Sequence, residues 1–181
     1  MTALLDAVLR EKDHSAMKSR FRCVVAFFIA AIISSARAFA QAPVTASDDP
    51  ESLFTSPDPK LHANKQVVLH IVRDLLEANH WSDADKYITT EYTQHNPRVA
   101  SGLAPVMRFF GSRKPTTIPD AKSWKTKIVA VVAEGDLVTV AYVRELPDPR
   151  DQSKSYTTTW FDMWRIKDGK ADEHWDPMTK P

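Results

Sequence analysis

Apolar residues recur at Val68, Ile71, Val72, Leu75 and Leu76, the i, i+3, i+4, i+7, i+8 spacing of one helix face, with Asn64 as the expected N-cap. A second short helix is expected from Ser82, where Asp85 stands three residues on as a capping-box partner, bringing Trp81, Ala84, Tyr87 and Ile88 to the same core. That helix ends before Tyr92–Pro97, which reads as a loop. A third runs from about Leu103 to Phe110, because Pro105 is tolerated only in a first turn and Gly111 suits a C-cap. The period then changes from 3.6 to 2. Trp124–Ala133 and Leu137–Leu146 are β-branched runs joined by Glu134-Gly135-Asp136, and Tyr156–Ile166 and Lys170–Asp176 form a second hairpin about Asp168-Gly169. Pro147–Asp151 reads as the loop between the hairpins. Helices first and a four-stranded antiparallel meander after make an α+β fold, with three helices packed on one face of a curved sheet.

The ends of the chain change this picture. Cys23–Ile33 is an unbroken apolar run of eleven residues behind Lys18, Arg20 and Arg22, and Ala38-Phe39-Ala40 supplies a small-x-small cleavage site. Residues 1–40 are therefore expected to be a signal peptide cut after Ala40, with Met17 as the true start, and the product periplasmic or secreted. The run is too short to span a bilayer, so no membrane association is expected after cleavage. The single cysteine, Cys23, lies in the segment that would be lost, so the mature chain has no disulfide or thiol chemistry. Of the 24 Lys and Arg and 23 Asp and Glu, six and three precede residue 41, which leaves 18 basic against 20 acidic groups, a net of −2. No nucleic-acid footprint is present. Residues 41–61 are rich in Pro, Ser, Asp and Thr and are expected to be a flexible linker, with 62–181 as the single domain.

Candidate chemistry concentrates in the last hairpin, where Asp162, His174 and Asp176 stand among Trp160, Trp164 and Trp175. A carboxyl dried by indoles is where a general base with a raised pKa is found, although a carboxylate held by backbone donors is an equal alternative. His95 precedes Asn96-Pro97, and either donates to a substrate oxygen from a cavity rim or serves with Asn96 to cap a helix and start a turn. His174 and Asp176, two apart on a strand, with His95 as a third ligand, form a weak metal pattern, and no metal is expected. The hairpin register stays open. A two-residue Asp168-Gly169 turn sets Lys167 opposite Lys170, Arg165 opposite Asp172 and Asp162 opposite Trp175, turns His174 to the other side, and makes the pocket from Trp160, Asp162, Trp164, Glu173 and Trp175. A three-residue loop sets Asp162 opposite His174 instead, so that the two share a proton. The first is preferred for its outward Arg165–Asp172 pair. The tryptophans suit a flat apolar or aromatic ligand, or are core or dimer face.

Tyr92-Thr93-Gln94-His95-Asn96-Pro97, then Gly102 with Phe109-Phe110, then Asp162–Lys170 and Glu173-His174-Trp175-Asp176 resemble the SnoaL-like polyketide cyclase family of the nuclear transport factor two-like superfamily. The resemblance covers about Asn64 to Met178. It implies a cone-shaped α+β barrel with a pocket at one end, a homodimer through the outer faces of the sheets, and an acid/base role for Asp162 in ring closure. Ala171 and Asp172 depart from the family pattern, in which two apolar residues follow Gly-Lys. The expectation is a secreted, cofactor-free enzyme that performs aldol cyclisation or isomerisation on a small apolar carbonyl compound. Asp162, His95 and His174 are its candidate catalytic groups, and Tyr92, Asn96, Trp160, Trp164, Glu173, Trp175 and Asp176 its candidate binding groups. A non-catalytic module holding a hydrophobic ligand in the same cone is the alternative.

Overall fold

A computed structural model describes residues 41–181, and the expected signal peptide, start and cleavage site lie outside them. Helix α1, Pro59–His70, begins six residues earlier than its apolar stripe suggests. Asp58 is the N-cap, its carboxylate accepting from the backbone N–H groups of Lys60 (2.8 Å) and Leu61 (2.9 Å), and Pro59 takes the first helical position, where its missing donor costs nothing. Asn64, expected as the cap, is buried instead and donates through Nδ2 to the Gly135 carbonyl, pinning the helix to a strand turn. The helix runs on as a π-helical segment, Ile71–Glu77, closed by the Ala78 N–H bonding five residues back to Arg73. A 3₁₀ segment, Trp81–Lys86, and helix α2, Leu103–Phe110, follow, α2 ending at Gly111 as expected, and a 3₁₀ turn, Ser52–Phe54, precedes α1.

The sheet has five strands, not four: β1 (Ile88–Gln94), β2 (Ile128–Glu134), β3 (Leu137–Asp148), β4 (Asp151–Lys167) and β5 (Lys170–Trp175), in the order β1-β5-β4-β3-β2. The meander β2–β5 is antiparallel as expected. Strand β1 corrects the expectation of a loop at Tyr92–Pro97, because it adds to β5 in parallel and makes the sheet mixed. Edge strands β1 and β2 do not pair, so the sheet is open and the expected barrel does not close. Pro149 and Arg150 alone separate β3 from β4.

The stretch expected to be a flexible linker is also different. Residues Pro43–Pro181 form one compact unit. Phe54 is fully buried against the core, its ring 6.1 Å from that of Trp124. Irregular backbone can lie here because α1 supplies its hydrogen bonds: Lys65 Nζ donates to the carbonyls of Leu53 (2.9 Å), Thr55 (3.2 Å) and Val131 (3.0 Å), and Gln66 Nε2 to that of Phe54. A polar composition misled because one aromatic anchor and donors from the adjoining helix sufficed.

Helices and sheet enclose a core of Val68, Val72, Leu75, Ile88, Val106, Ile128, Val138, Val140 and Trp164, all buried. The core leaves a gap between the π segment, α2 and the inner faces of β1, β4 and β5.

Candidate active site

The last hairpin turns on Asp168 (φ 50°) and Gly169 (φ 77°), both left-handed, so the two-residue turn holds and Lys167 faces Lys170. The register then slips. Ile166 pairs with Ala171 but Arg165 pairs with Glu173, leaving Asp172 as an extra residue in a bulge, its carboxylate accepting from Thr89 Oγ1 at 2.8 Å. Every residue beyond the bulge is shifted by one. Trp164 therefore faces His174, Met163 faces Trp175, and His174 lies on the inner face with Asp162. Neither expected register survives whole: the turn is that of the first, and the Asp162–His174 neighbourhood is that of the second. The outward partner of Arg165 is Glu173 (Nε to Oε2, 3.0 Å), not Asp172, with Asp136 on its Nη1 (2.9 Å).

The gap is a cavity of about 210 Å³ lined by Ile71, Leu76, Trp81, Ile88, Tyr92, Gln94, Asn96, Val106, Phe110, Asp162, Trp164, His174, Asp176 and Met178. Its apolar end comes largely from the helices. Ile71 and Leu76 stand five residues apart, one π turn, so the π segment turns both to the cavity. Trp81 and Phe110 stack at 4.8 Å behind them. The polar end comes from Asp162 of β4, His174 of β5 and Asp176 just past β5, met by Tyr92 and Gln94 of β1 and Asn96 just past β1. Among the described residues no lysine or arginine lines the cavity.

The polar groups fix one another. His174 is 7% exposed, and its Nδ1 lies 2.8 Å from Gln94 Oε1, which also accepts the Asn96 N–H at 2.9 Å. That second bond sets the orientation of the Gln94 amide, so Nδ1 must carry the proton. Nε2 then points its lone pair at Asp162 Oδ1, 3.4 Å away. A proton taken up here would lie between these two acceptors. Asp162 Oδ1 also accepts from Trp160 Nε1 at 3.0 Å. Asp176 accepts from Asn96 Nδ2 (2.6 Å) and from the Met178 N–H (2.8 Å). The Tyr92 phenol is 3% exposed, and its pKa is pushed far up by burial, with the charges of Asp162 and Asp176 adding to the rise and a bond from Trp164 offsetting part of it. The Tyr142 hydroxyl, buried beside Asp162, is likewise held protonated, by burial first and the Asp162 charge second. Asp162, His174 and Asp176, with ligand atoms all within 4.8 Å of one another, are the residues among those described that could hold a metal ion. His95, the expected third ligand, is not one of them.

The family model of the SnoaL-like domain matches residues 68–174, more than half of the chain. The chain belongs to the SnoaL-like domain family. No curated protein matches its sequence. Among solved structures it is similar to a protein of Acidithiobacillus ferrooxidans assigned as a polyketide cyclase (16% identity, covering 67% of this chain and 89% of that one, TM-score 0.45). It is similar also to one of Jannaschia assigned as a SnoaL-like polyketide cyclase (14%, 68% and 91%, 0.48), and to an LEH-like epoxide hydrolase of M. tuberculosis (12%, 63% and 80%, 0.45). None of the three bears on this chain's chemistry.

Of the residues singled out in the sequence of this SnoaL-like domain, Asp162, His174, Tyr92, Asn96, Trp164 and Asp176 line the cavity. Four expected residues do not line it. His95, Glu173 and Trp175 lie outside: the His95 ring stacks on Trp175 (5.1 Å, 7°), its Nε2 is 2.8 Å from Glu173 Oε1, and Arg165 lies over the same indole. The His95 contact and then Arg165 hold the Glu173 carboxyl below its usual range. The bulge is the cause, since it leaves residues 173 and 175 on the outer side when 174 and 176 turn in. Trp160 supports Asp162 through its N–H and carries the Arg144 guanidinium over its ring at 4.5 Å. Gln94 is the polar group that sequence reading missed. Alternation of Tyr92, Gln94 and Asn96 would have shown it, had that stretch been read as a strand.

Proposed function

We propose that the chain is a cofactor-free acid/base enzyme that moves a proton on a small, largely apolar carbonyl compound, by isomerisation or aldol cyclisation. The observation that carries this is the Asp162–His174 pair, 3.4 Å apart, at the polar end of an otherwise apolar cavity, with the imidazole proton fixed on Nδ1 by Gln94. The ligand is smaller than drug-sized, since the cavity falls below the ~300–1,000 Å³ of such sites. In the reaction the C–H bond next to the carbonyl breaks and its proton passes to the Asp162–His174 pair. The electron pair moves onto the carbonyl oxygen. Tyr92, kept protonated by burial, is placed to donate to that oxygen, the role expected of His95. The proton returns to another carbon in an isomerisation, or the enolate attacks a second carbonyl carbon in a ring closure.

The test is deuterium uptake by proton NMR at the carbon next to the carbonyl, over a panel of small ketones and aldehydes in D₂O. Wild-type protein should catalyse exchange and Asp162→Asn should lower it ~10²–10⁴-fold with ligand affinity retained. If no compound exchanges faster than in buffer, the cavity belongs to a ligand-binding module and the enzyme reading falls. Export through residues 1–40 is part of the same proposal. So is a homodimer through the outer sheet face, where Val132 (64% exposed) and Phe161 (50%) present apolar area, checked by sedimentation equilibrium.

A further inference from the structure

Charge is unevenly placed along the chain. Residues 108–127 hold Arg108, Arg113, Lys114, Lys122, Lys125 and Lys127, six of the 18 basic residues beyond residue 40, and one of the 20 acidic ones, Asp120. This segment carries a net of +5, and the rest of 41–181, with 12 basic and 19 acidic groups, a net of −7. Among the described residues none of the six cations is ion-paired. Past Gly111 the chain runs back over the end of the π segment, where the Thr116 N–H donates to the Ala78 carbonyl (2.8 Å) and the Thr116 carbonyl lies 2.7 Å from His80 Nε2. Arg113 and Pro115 thus share a cleft with Trp81 and Met107, and Lys125 another with Ile118 and Asp120. Every residue from Arg108 to Ser123 is exposed apart from the half-buried Phe110 and Pro119. Two apolar side chains stand among the cations, Phe109 (52% exposed) and Ile118 (39%). Phe109 is edge-on to Phe110 at 4.7 Å, and Trp81, on which Phe110 stacks, is a wall of both the cavity and the Arg113 cleft.

We propose that this face, from the last turn of α2 to Lys127, docks on an anionic lipid surface, with the cations against the headgroups and Phe109 and Ile118 entering the boundary between them. Charge complementarity selects the partner. A soluble polyanion would satisfy the cations but leave both apolar side chains in water, and a symmetric contact with a second copy would set cation against cation. The acidic remainder of the molecule is repelled by the same headgroups, which orients the docked protein. The Trp81–Phe110 wall of the cavity then lies beside the bilayer, where apolar ligands collect. The contact is peripheral, since among the described residues no helix is long and apolar enough to cross a membrane. The sequence-based expectation of no membrane association rests on the shortness of Cys23–Ile33, and this face is a separate feature of the folded chain. The inference goes beyond the proposed reaction and does not rest on it, because its test contains no substrate.

The test is co-sedimentation with vesicles of phosphatidylcholine, with and without phosphatidylglycerol. It uses residues 41–181, which contain the whole compact unit and leave out the apolar run Cys23–Ile33, itself able to bind vesicles. The protein should bind the phosphatidylglycerol vesicles and not the neutral ones, and raising the salt from ~50 to ~500 mM should release it. Replacing two cations together, Arg113→Ala with Lys114→Ala, should weaken binding ~25-fold, or ~5-fold per cation. Phe109→Ser should weaken it ~10-fold at unchanged charge. All three positions are exposed, so the circular dichroism of both variants should match wild type. The proposal is overturned if wild-type protein ignores phosphatidylglycerol vesicles at ~50 mM salt, or binds neutral vesicles equally well. It is overturned if Phe109→Ser binds as wild type does. Retention on heparin through Arg113 and Lys114 without vesicle binding would also overturn it, since the cations would then serve a soluble polyanion.

Discussion

Gln94→Leu isolates the arrangement that makes the Asp162–His174 pair competent. The side chain is isosteric enough to fill its place, but it removes the Oε1 that takes the His174 Nδ1–H at 2.8 Å and the Asn96 N–H at 2.9 Å. The Asn96 group is partly open and finds water. His174 is 7% exposed, so its orphaned Nδ1–H costs ~1–3 kcal/mol. Against a total of ~5–15 kcal/mol the variant still folds, melting several degrees lower. The ring can avoid part of that cost by moving its proton to Nε2, where it bonds Asp162 and can no longer accept a substrate proton. The same ~1–3 kcal/mol then appears as a ~5–150-fold fall in exchange rate with little change in KM. The decisive assay needs no substrate. Long-range ¹⁵N–¹H correlation spectra of the histidine rings, recorded where His174 is neutral, should show the proton on Nδ1 in wild type and a shift toward Nε2 in Gln94→Leu. A wild-type ring carrying its proton on Nε2 would refute the reasoning, as would a Gln94→Leu enzyme that is unchanged in rate.

Two further outcomes follow from burial. Phe54→Ala should cost ~3–5 kcal/mol in urea unfolding, as for any fully buried aromatic, and a loss under ~1 kcal/mol would mean that residues 43–58 are not part of the core. In an alkaline spectrophotometric titration Tyr92 and Tyr142 should stay protonated past pH 10, because burial raises both. Their protons are retained by the folded state and lost by the unfolded one, so their stabilising effect is complete below pH ~10 and stability then falls by ~1.4 kcal/mol per pH unit for each group. Full ionisation of all four tyrosines near pH 10 with the fold intact by circular dichroism would contradict this.

The chain's own patterns determined the α+β class, helix α2 with its Gly111 cap, the four-strand meander, the Asp168-Gly169 turn and the family. Each is written within a few neighbouring residues, as a period, a cap or a turn pair. The aromatic and acidic residues of the last hairpin likewise marked where chemistry would gather. Which of them met was decided only in three dimensions, by features that cost local regularity and are repaid at a distance. The Asp172 bulge is held by Thr89 from another strand, and it alone puts His174 and Asp176 inside and Glu173 and Trp175 outside. Strand β1 exists because β5 offers it an open edge, not because Tyr92–Gln94 reads as a strand. The π segment brings Ile71 and Leu76 to one wall against the 3.6 period of the residues around it. Side-chain direction in a strand has period two, so one inserted residue reverses everything after it, and no local pattern records whether the insertion is there.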